Sequence, residues 1–498
     1  MRGYTYQRKG KCQAMSSTVT TKHDVSSRPE HILFPKSSVH KHAGALAGFL
    51  AKLNYDDIPA DVLHIAKLIT LDTVGCIVAA TQTALGEKIL AAYDMGRQPN
   101  GCSVPGTELQ LAPSLAAKVN GWLSDVLDYE DTASGHPSAT VIPAALAMAE
   151  HLEGTPKQFL TGVVAGYEAG LRLQDATRAS PEALRRFASY HAWHGVAAGA
   201  AAMAVSGGSE EQFRSALGHA AANTNIPLWY VEYGRPAHAL KANYGQMALA
   251  GVDAAICARQ DIIGPFAMLS DAERGFALII GSDRFDATQL SHKLNDIWRV
   301  RQTCFKGYPA CYLLQSIIHA LSNVVRTNDI RQEQIDRILI GCSKKVHDWF
   351  SYKETPGDLD GQFSVEYVSV MAALGIPAGR EWYSTSLRES ADVSCLMSRV
   401  STEIDPVAEE SYWKGDRLFS SVKILTTEGQ SFGATVEFPP GHFRNPLSDS
   451  DIESKFLRNL SGTLLERRGN QIVEKTMNLD RLSSINELSQ ILRAVKIA

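Results

Sequence analysis

The chain has 498 residues, 45% of them hydrophobic, which allows a large buried core and exceeds the usual single-domain length. Its formal charge of -4 and pI near 6.4 provide no basic field for phosphates, which excludes nucleic acid as a partner and leaves any anionic ligand to local charges. The eight cysteines include no C-x-x-C pair, so the sequence reads as reduced and intracellular, without a zinc or redox motif.

The first 28 residues carry Arg2, Arg8, Lys9, Lys11, Lys22 and Arg28 against one acid, Asp24. This composition suits a mitochondrial transit peptide and equally a disordered tail, assigned here to 1–37, and Met15 offers an alternative start. The expected location is cytoplasmic or mitochondrial. No apolar run of about 18 residues stands out as a membrane span, so no membrane partner is expected.

From about Ser38 the texture is rich in Ala, Leu and Gly at helical spacing. Asp57-Ile58-Pro59 prepares a helix start, and Val62, Ile65, Ala66, Ile69, Thr73 and Cys76 recur near i+3/i+4. Further helices are predicted at about 112–124, 142–153, 158–173, 195–206, 210–222 and 246–258, with small residues that permit close axial packing. Beyond Arg301 the pattern changes. Ile335 to Ile340 is β-branched, and Val422/Ile424 and Phe432, Ala434, Val436, Phe438 alternate around a Glu428-Gly429 hairpin turn. A helix fits Leu314–Val325, and helices return over 449–460 and 483–495. The predicted fold is mainly α: a large helical domain over 38–300, completed by 441–498, and a smaller α+β lid over 301–440 with an antiparallel sheet.

Four polar clusters interrupt this apolar background. Asp125 to Ser138 places Asp125, Asp128, Glu130, Asp131, Thr132 and His136 between two core helices. Buried carboxylates cost several kcal/mol unless paired, so the cluster reads as a site or, alternatively, as a solvated capping loop. Ser189 to Gly195 brings His191 and His194 to a helix start, where an anion is favoured; the two histidines could also be metal ligands, but no third ligand stands at zinc spacing. Arg235 to Gly245 contains Lys241 ahead of another Ala-rich helix, and Cys304 to Cys311 holds Lys306 at the domain junction, a favoured position for a ligand pocket. No nucleotide-binding glycine loop, G-x-S-x-G elbow or H-E-x-x-H is present. The residues alone imply a helical enzyme with an anion site.

The clusters and their order resemble the MmgE/PrpD family, which includes 2-methylcitrate dehydratase, cis-aconitate decarboxylase and iminodisuccinate epimerase. The resemblance runs from about residue 40 to the end. It rests on Leu71-Asp72-Thr73-Val74-Gly75-Cys76, Leu127 to Thr132 with His136-Pro137-Ser138, Phe305 to Cys311, Gln362 to Tyr367, and Asn445-Pro446-Leu447-Ser448 leading into Lys455-Phe456. It implies a helical domain with an α+β lid, a homodimer, and an interdomain pocket that needs no metal or organic cofactor. It also implies that Asp128, Thr132, His136, His191, Lys241 and Lys306 form the catalytic set, with His194, Cys311 and Tyr308 binding substrate. His136 would move protons at carbon while lysines and histidines hold carboxylates. The family pattern is not followed everywhere. The Thr132–His136 gap is shorter than in animal decarboxylases, the segment after His191 lacks a residue so that His194 comes into register, Cys311 stands where some decarboxylases carry His, and Gln315 replaces a common His. The first functional expectation is dehydration of a citrate-like or alkylcitrate acid, and the second is decarboxylation of cis-aconitate. Epimerisation and a non-catalytic binding role follow as alternatives.

Overall fold

In the computed structural model the described residues are 40–184, 191–224, 241, 243–355, 357, 359–415 and 417–494. The expected tail over 1–37 lies outside them. Helix α1 (Lys41–Lys52) leads to α2 (Ala60–Ala80), whose start follows Pro59 as the sequence predicts. Contrary to the expectation of no span-length apolar segment, α2 is long and apolar enough to cross a membrane, with mean hydropathy 1.7 over its most apolar window. The reason is packing, because 83% of that window is buried in the helical core.

Helices α3 (Ala84–Tyr93), α4 (Pro113–Asp125), α5 (Ser138–His151), α6 (Pro156–Ala176), α7 (Trp193–Val205), α8 (Glu210–Ala222) and α9 (Tyr244–Arg259) follow, with α5, α6, α8 and α9 packed around α7, and α4, α5 and α6 against α2. Pro113 and Pro156 occupy first-turn positions, where a missing N–H costs nothing, and Thr155 with Gln158 and Ser209 with Gln212 form capping boxes on α6 and α8. Small residues allow the helices to approach closely: a Cβ on Gly121 of α4 would lie 2.9 Å from the Gly245 Cα of α9. This contact brings the start of α9 beside the end of α4, where the first polar cluster begins. A short hairpin of β1 (Cys102–Ser103) and β2 (Gln110–Leu111), absent from the sequence prediction, precedes α4.

One buried apolar cluster draws residues from Ala43 to Phe305, with Leu359, and from Ile452 to Leu492; a second draws them from Ala310 to Ile424. The second surrounds α10 (Gln315–Thr327) and α11 (Val365–Ala373), packed on a four-stranded sheet. Its strands are β3 (Ile335–Cys342), β4 (Val400–Ile404), β5 (Ser420–Thr426) and β6 (Ser431–Val436), in the order β4-β3-β5-β6. The β5–β6 hairpin turns through Gly429, at φ +80°, as the Glu428-Gly429 signal predicts. The expected antiparallel sheet is in fact mixed, because β4 pairs parallel to β3. Val400–Ile404 is a short, largely exposed edge strand whose sequence does not alternate strongly, which explains why it escaped detection. Helices α12 (Asp449–Leu460), α13 (Gly469–Met477) and α14 (Asn486–Leu492) return to the first core, α12 crossing α2. The single helix expected over 483–495 is shorter, and α13 was not foreseen.

Candidate active site

The end of α4 and the loop before α5 build the centre of the site. After Asp125 the chain turns through Asp128, whose φ of +50° is a left-handed conformation that Asp tolerates better than most residues. This turn directs Asp125, Asp128 and Glu130 inward together, all of them buried. His136, at the far end of the loop, faces the three acids. Its Nδ1 is 2.5 Å from Glu130 Oε1, 3.4 Å from Asp125 Oδ1 and 3.8 Å from Asp128 Oδ1.

Two lysines bring the compensating charge from other segments. Lys306, from the domain junction, places Nζ 2.5 Å from Asp128 Oδ1 and also donates to the Asp128 carbonyl at 3.1 Å. Lys241 sits 2.9 Å from Asp125 Oδ1 and 3.9 Å from Asp128 Oδ2, and donates to Gln362 Oε1 at 3.2 Å. Its φ of +41° is uncommon for a residue with a side chain, a local strain typical of functional positions. Asn243, at φ +59°, then fixes the entry to α9 by accepting the Trp122 indole N–H at 2.8 Å.

Asp125, Asp128, Glu130 and His136 each offer a ligand atom within 4.8 Å of the others, an arrangement able to hold a metal ion. Here two ammonium groups from the chain itself already stand against these acids, which opposes a further cation.

Electrostatics divides the cluster into unlike groups. Burial pushes Asp125 well above the usual carboxylate range, with Lys241 opposing and Glu130 and Asp128 reinforcing the shift. Burial would also raise Asp128 and Glu130, but the lysines and His136 outweigh it and hold both below their ordinary values. Burial and Lys306 lower His136 despite the opposing pull of Glu130, so its ring is neutral and basic near pH 7. One acid inclined to keep its proton and one neutral imidazole therefore share a site.

The remaining expected residues occupy distinct places. His191 Nδ1 is 2.7 Å from the Tyr244 hydroxyl, and its ring centroid lies 6.3 Å from that of His136. Thr132 donates its hydroxyl to the Gly135 carbonyl at 2.7 Å and exchanges two backbone hydrogen bonds with Cys304, which ties the loop to the junction. Expected to bind substrate, His194 instead uses both ring nitrogens within the protein: Nε2 accepts the His136 backbone N–H at 2.9 Å, and Nδ1 donates to the His191 carbonyl at 2.6 Å. Burial lowers its basicity strongly, consistent with a neutral strut. Gly135 is required beside it, since a Cβ there would lie 2.7 Å from the His194 ring. The Tyr308 hydroxyl, also expected at the substrate, turns into the lid toward His319 Nδ1 at 3.1 Å. Cys311 packs on the lid core, its backbone N–H donating to the Gln362 carbonyl at 3.0 Å. Ser189, Tyr190, Arg235 to Leu240 and Ala242 fall outside the described residues.

Four residues of the constellation carry no role in the reading of the sequence. Asp125, Glu130 and Tyr244 lie within the quoted clusters, but no periodicity shows which way a loop side chain points. Gln362 bridges the domains by accepting from Lys241 and donating to the Val126 carbonyl at 2.6 Å.

The buried helical-domain cluster, with a lid lysine and glutamine closing on it, defines a two-domain protein whose acid–base site lies at the domain junction. The MmgE/PrpD N-terminal domain profile matches residues 44–288 and the MmgE/PrpD C-terminal domain profile matches 308–479. The chain belongs to the MmgE/PrpD family. It is 24% identical over 484 residues to the cis-aconitate decarboxylase of Aspergillus terreus, covering 89% of this chain and 94% of that one. The mouse (Mus musculus) cis-aconitate decarboxylase is 23% identical over 473 residues, with 91% and 93% coverage. The 2-methylcitrate dehydratase of Escherichia coli O157:H7 is 23% identical over 466 residues, with 87% and 93% coverage.

Proposed function

We propose that the protein is a lyase acting on a small tricarboxylate, with dehydration of a citrate-like acid as its reaction. The observation that carries this reading is the pairing of His136, neutral and oriented by Glu130, with Asp125, a carboxyl that burial inclines to stay protonated. Elimination of water needs both a base for the proton next to a carboxylate and an acid for the departing hydroxyl. His136 takes the first role and Asp125 the second. Lys241 and Lys306 exchange part of their contact with Asp125 and Asp128 for substrate carboxylates, and stabilise the charge that grows on them as the proton leaves. His191, supported by Tyr244, lines the same space, while Thr132 and His194 hold the loop. Cys311 and Tyr308 act through the lid.

Decarboxylation of cis-aconitate is the second reading, favoured by the decarboxylase relatives that cover about nine-tenths of this chain. There the lysines orient the carboxylate to be lost, and His136 passes the proton held on Asp125 to the carbanion. The same reading carries a homodimer, which light scattering on the purified chain tests, and a mitochondrial location if the basic N-terminal segment directs import. The decisive assay incubates the protein separately with 2-methylcitrate, a longer alkylcitrate and cis-aconitate, and weighs the products. Loss of water from either citrate supports the dehydratase and loss of carbon dioxide from aconitate supports the decarboxylase. Silence on all three contradicts both.

A further inference from the structure

The acids of the site and Lys306 are held by backbone segments from two distant parts of the chain, and one residue touches both segments from behind. Lys455, on α12, is 2% exposed and meets three acceptors. Its Nζ lies 2.7 Å from Asp72 Oδ1 on α2, and donates to the Tyr129 carbonyl at 2.5 Å and the Lys306 carbonyl at 3.0 Å. The Tyr129 ring also faces the ammonium, with its centroid 4.0 Å away. The ammonium therefore combines two hydrogen bonds to backbone carbonyls with an ion pair to a buried carboxylate.

We infer that Lys455 is a positioning residue that sets the register between the Asp128–Glu130 loop and Lys306, an inference that rests on the proposed lyase reading. Tyr129 stands between Asp128 and Glu130 in the chain, and the second carbonyl belongs to Lys306 itself. Drawing the two carbonyls to one ammonium places the Lys306 side chain where it reaches Asp128 Oδ1 at 2.5 Å. Apart from the contacts of the Lys306 ammonium itself, the other hydrogen bonds between these segments among the described residues are the Thr132–Cys304 backbone pair and the Tyr129 hydroxyl on the Gly307 carbonyl at 3.2 Å. A purely structural ion pair between α2 and α12 needs Asp72 alone. Both Lys455 hydrogen bonds go instead to the backbone of the catalytic groups, while Asp72 is met as an ion pair.

The two roles separate when both charges are removed. Lys455→Met leaves Asp72 buried without its cation, and both melting temperature and kcat fall. Adding Asp72→Leu removes that uncompensated charge and restores the melting temperature, as replacing a whole buried pair by apolar residues commonly does. If Lys455 positions the site, kcat of the double variant stays on the order of a hundredfold below wild type, the cost of a displacement near 1 Å at the reacting groups. Amide hydrogen exchange over 128–132 and 304–308 also remains faster than in wild type, a readout that needs no substrate. Asp72→Asn keeps both carbonyl bonds and removes only the ion pair, so its kcat stays within about tenfold of wild type, the range expected from weakening a single polar contact. Recovery of kcat and of exchange protection in the double variant overturns the inference, as does an Asp72→Asn loss equal to that of Lys455→Met. Wild-type protein inert on every tricarboxylate overturns the lyase reading instead, and the exchange measurement still decides the role of Lys455.

Discussion

Two ionic clusters are buried against the helical core, and they differ in composition and in how completely they are satisfied. Arg172 and Glu168, one turn apart on α6, are almost wholly buried. Arg172 donates to Glu168 and to the carbonyls of His292 and Ile297, while Glu168 Oε1 accepts the backbone N–H groups of Arg299 and Val300. Every strong group has a protein partner, and the cluster anchors the segment leading to the domain junction. The Asp125–Asp128–Glu130–His136 cluster gathers three acids against two lysines, and Glu130 Oε2 is buried with no hydrogen-bond partner among the described residues. A closed ledger of partners marks a structural latch. Unlike protonation tendencies packed within hydrogen-bonding reach mark groups arranged for proton transfer.

The comparison is broken most directly by His136→Ala. Loss of a positioned general base lowers kcat by about 10²–10⁴-fold while the fold persists; loss of stability alone, with kcat retained, revives a binding-protein reading. Lys306→Met lowers kcat by about 10²–10³-fold through loss of charge stabilisation. It also destabilises the chain by about 3–5 kcal/mol, because Asp128 loses its buried partner. Steady-state kinetics and denaturant titration measure the two effects.

Arg172→Met provides the contrast. It costs a similar 3–5 kcal/mol, about the penalty for leaving Glu168 buried and alone, yet the folded fraction keeps the wild-type kcat. A large kcat loss at full folding would erase the distinction between latch and site.

The pH dependence sharpens the comparison further. His136 titrates below its ordinary 6.5, so the dehydration rate falls as pH drops through that lowered value and the base is lost. His191 and His194 are also held well below 6.5 by burial. Their neutral folded forms contribute stability that is fully present above pH 6.5 and is lost as the pH falls toward their folded values, because the unfolded chain then binds more protons. Rate profiles and melting curves from pH 5 to 8 read both effects. The smallest change is expected from Tyr244→Phe, which removes one hydrogen bond to His191 and costs about 0.5–1.5 kcal/mol, a few-fold in rate.

Legibility in the sequence followed periodicity. The helices over 113–125, 210–222 and 449–460 were readable nearly to the residue, because apolar spacing, prolines and capping residues agree there. The β5–β6 hairpin was readable from alternation and Glu428-Gly429. The parallel β4 was not, since an exposed edge strand carries little apolar pattern. Within the site, the charged loop was conspicuous as an interruption between core helices. The division of labour inside it depends on the left-handed turn at Asp128 and on partners 178 residues away, such as Lys306, which local spacing does not encode. His194 and Tyr308 show the same limit in reverse. Their residue types suit a ligand, but their polar atoms are turned onto His136, His191 and His319.

The central claim is that His136 moves a proton at substrate carbon. Turnover of 2-methylcitrate and cis-aconitate in D2O, with products and recovered substrate weighed, tests it most directly. The account predicts deuterium at carbon in the wild-type reaction, through back-exchange with the citrate or protonation of the decarboxylated product, and its loss in His136→Ala. Deuterium incorporation that persists undiminished in His136→Ala would contradict it.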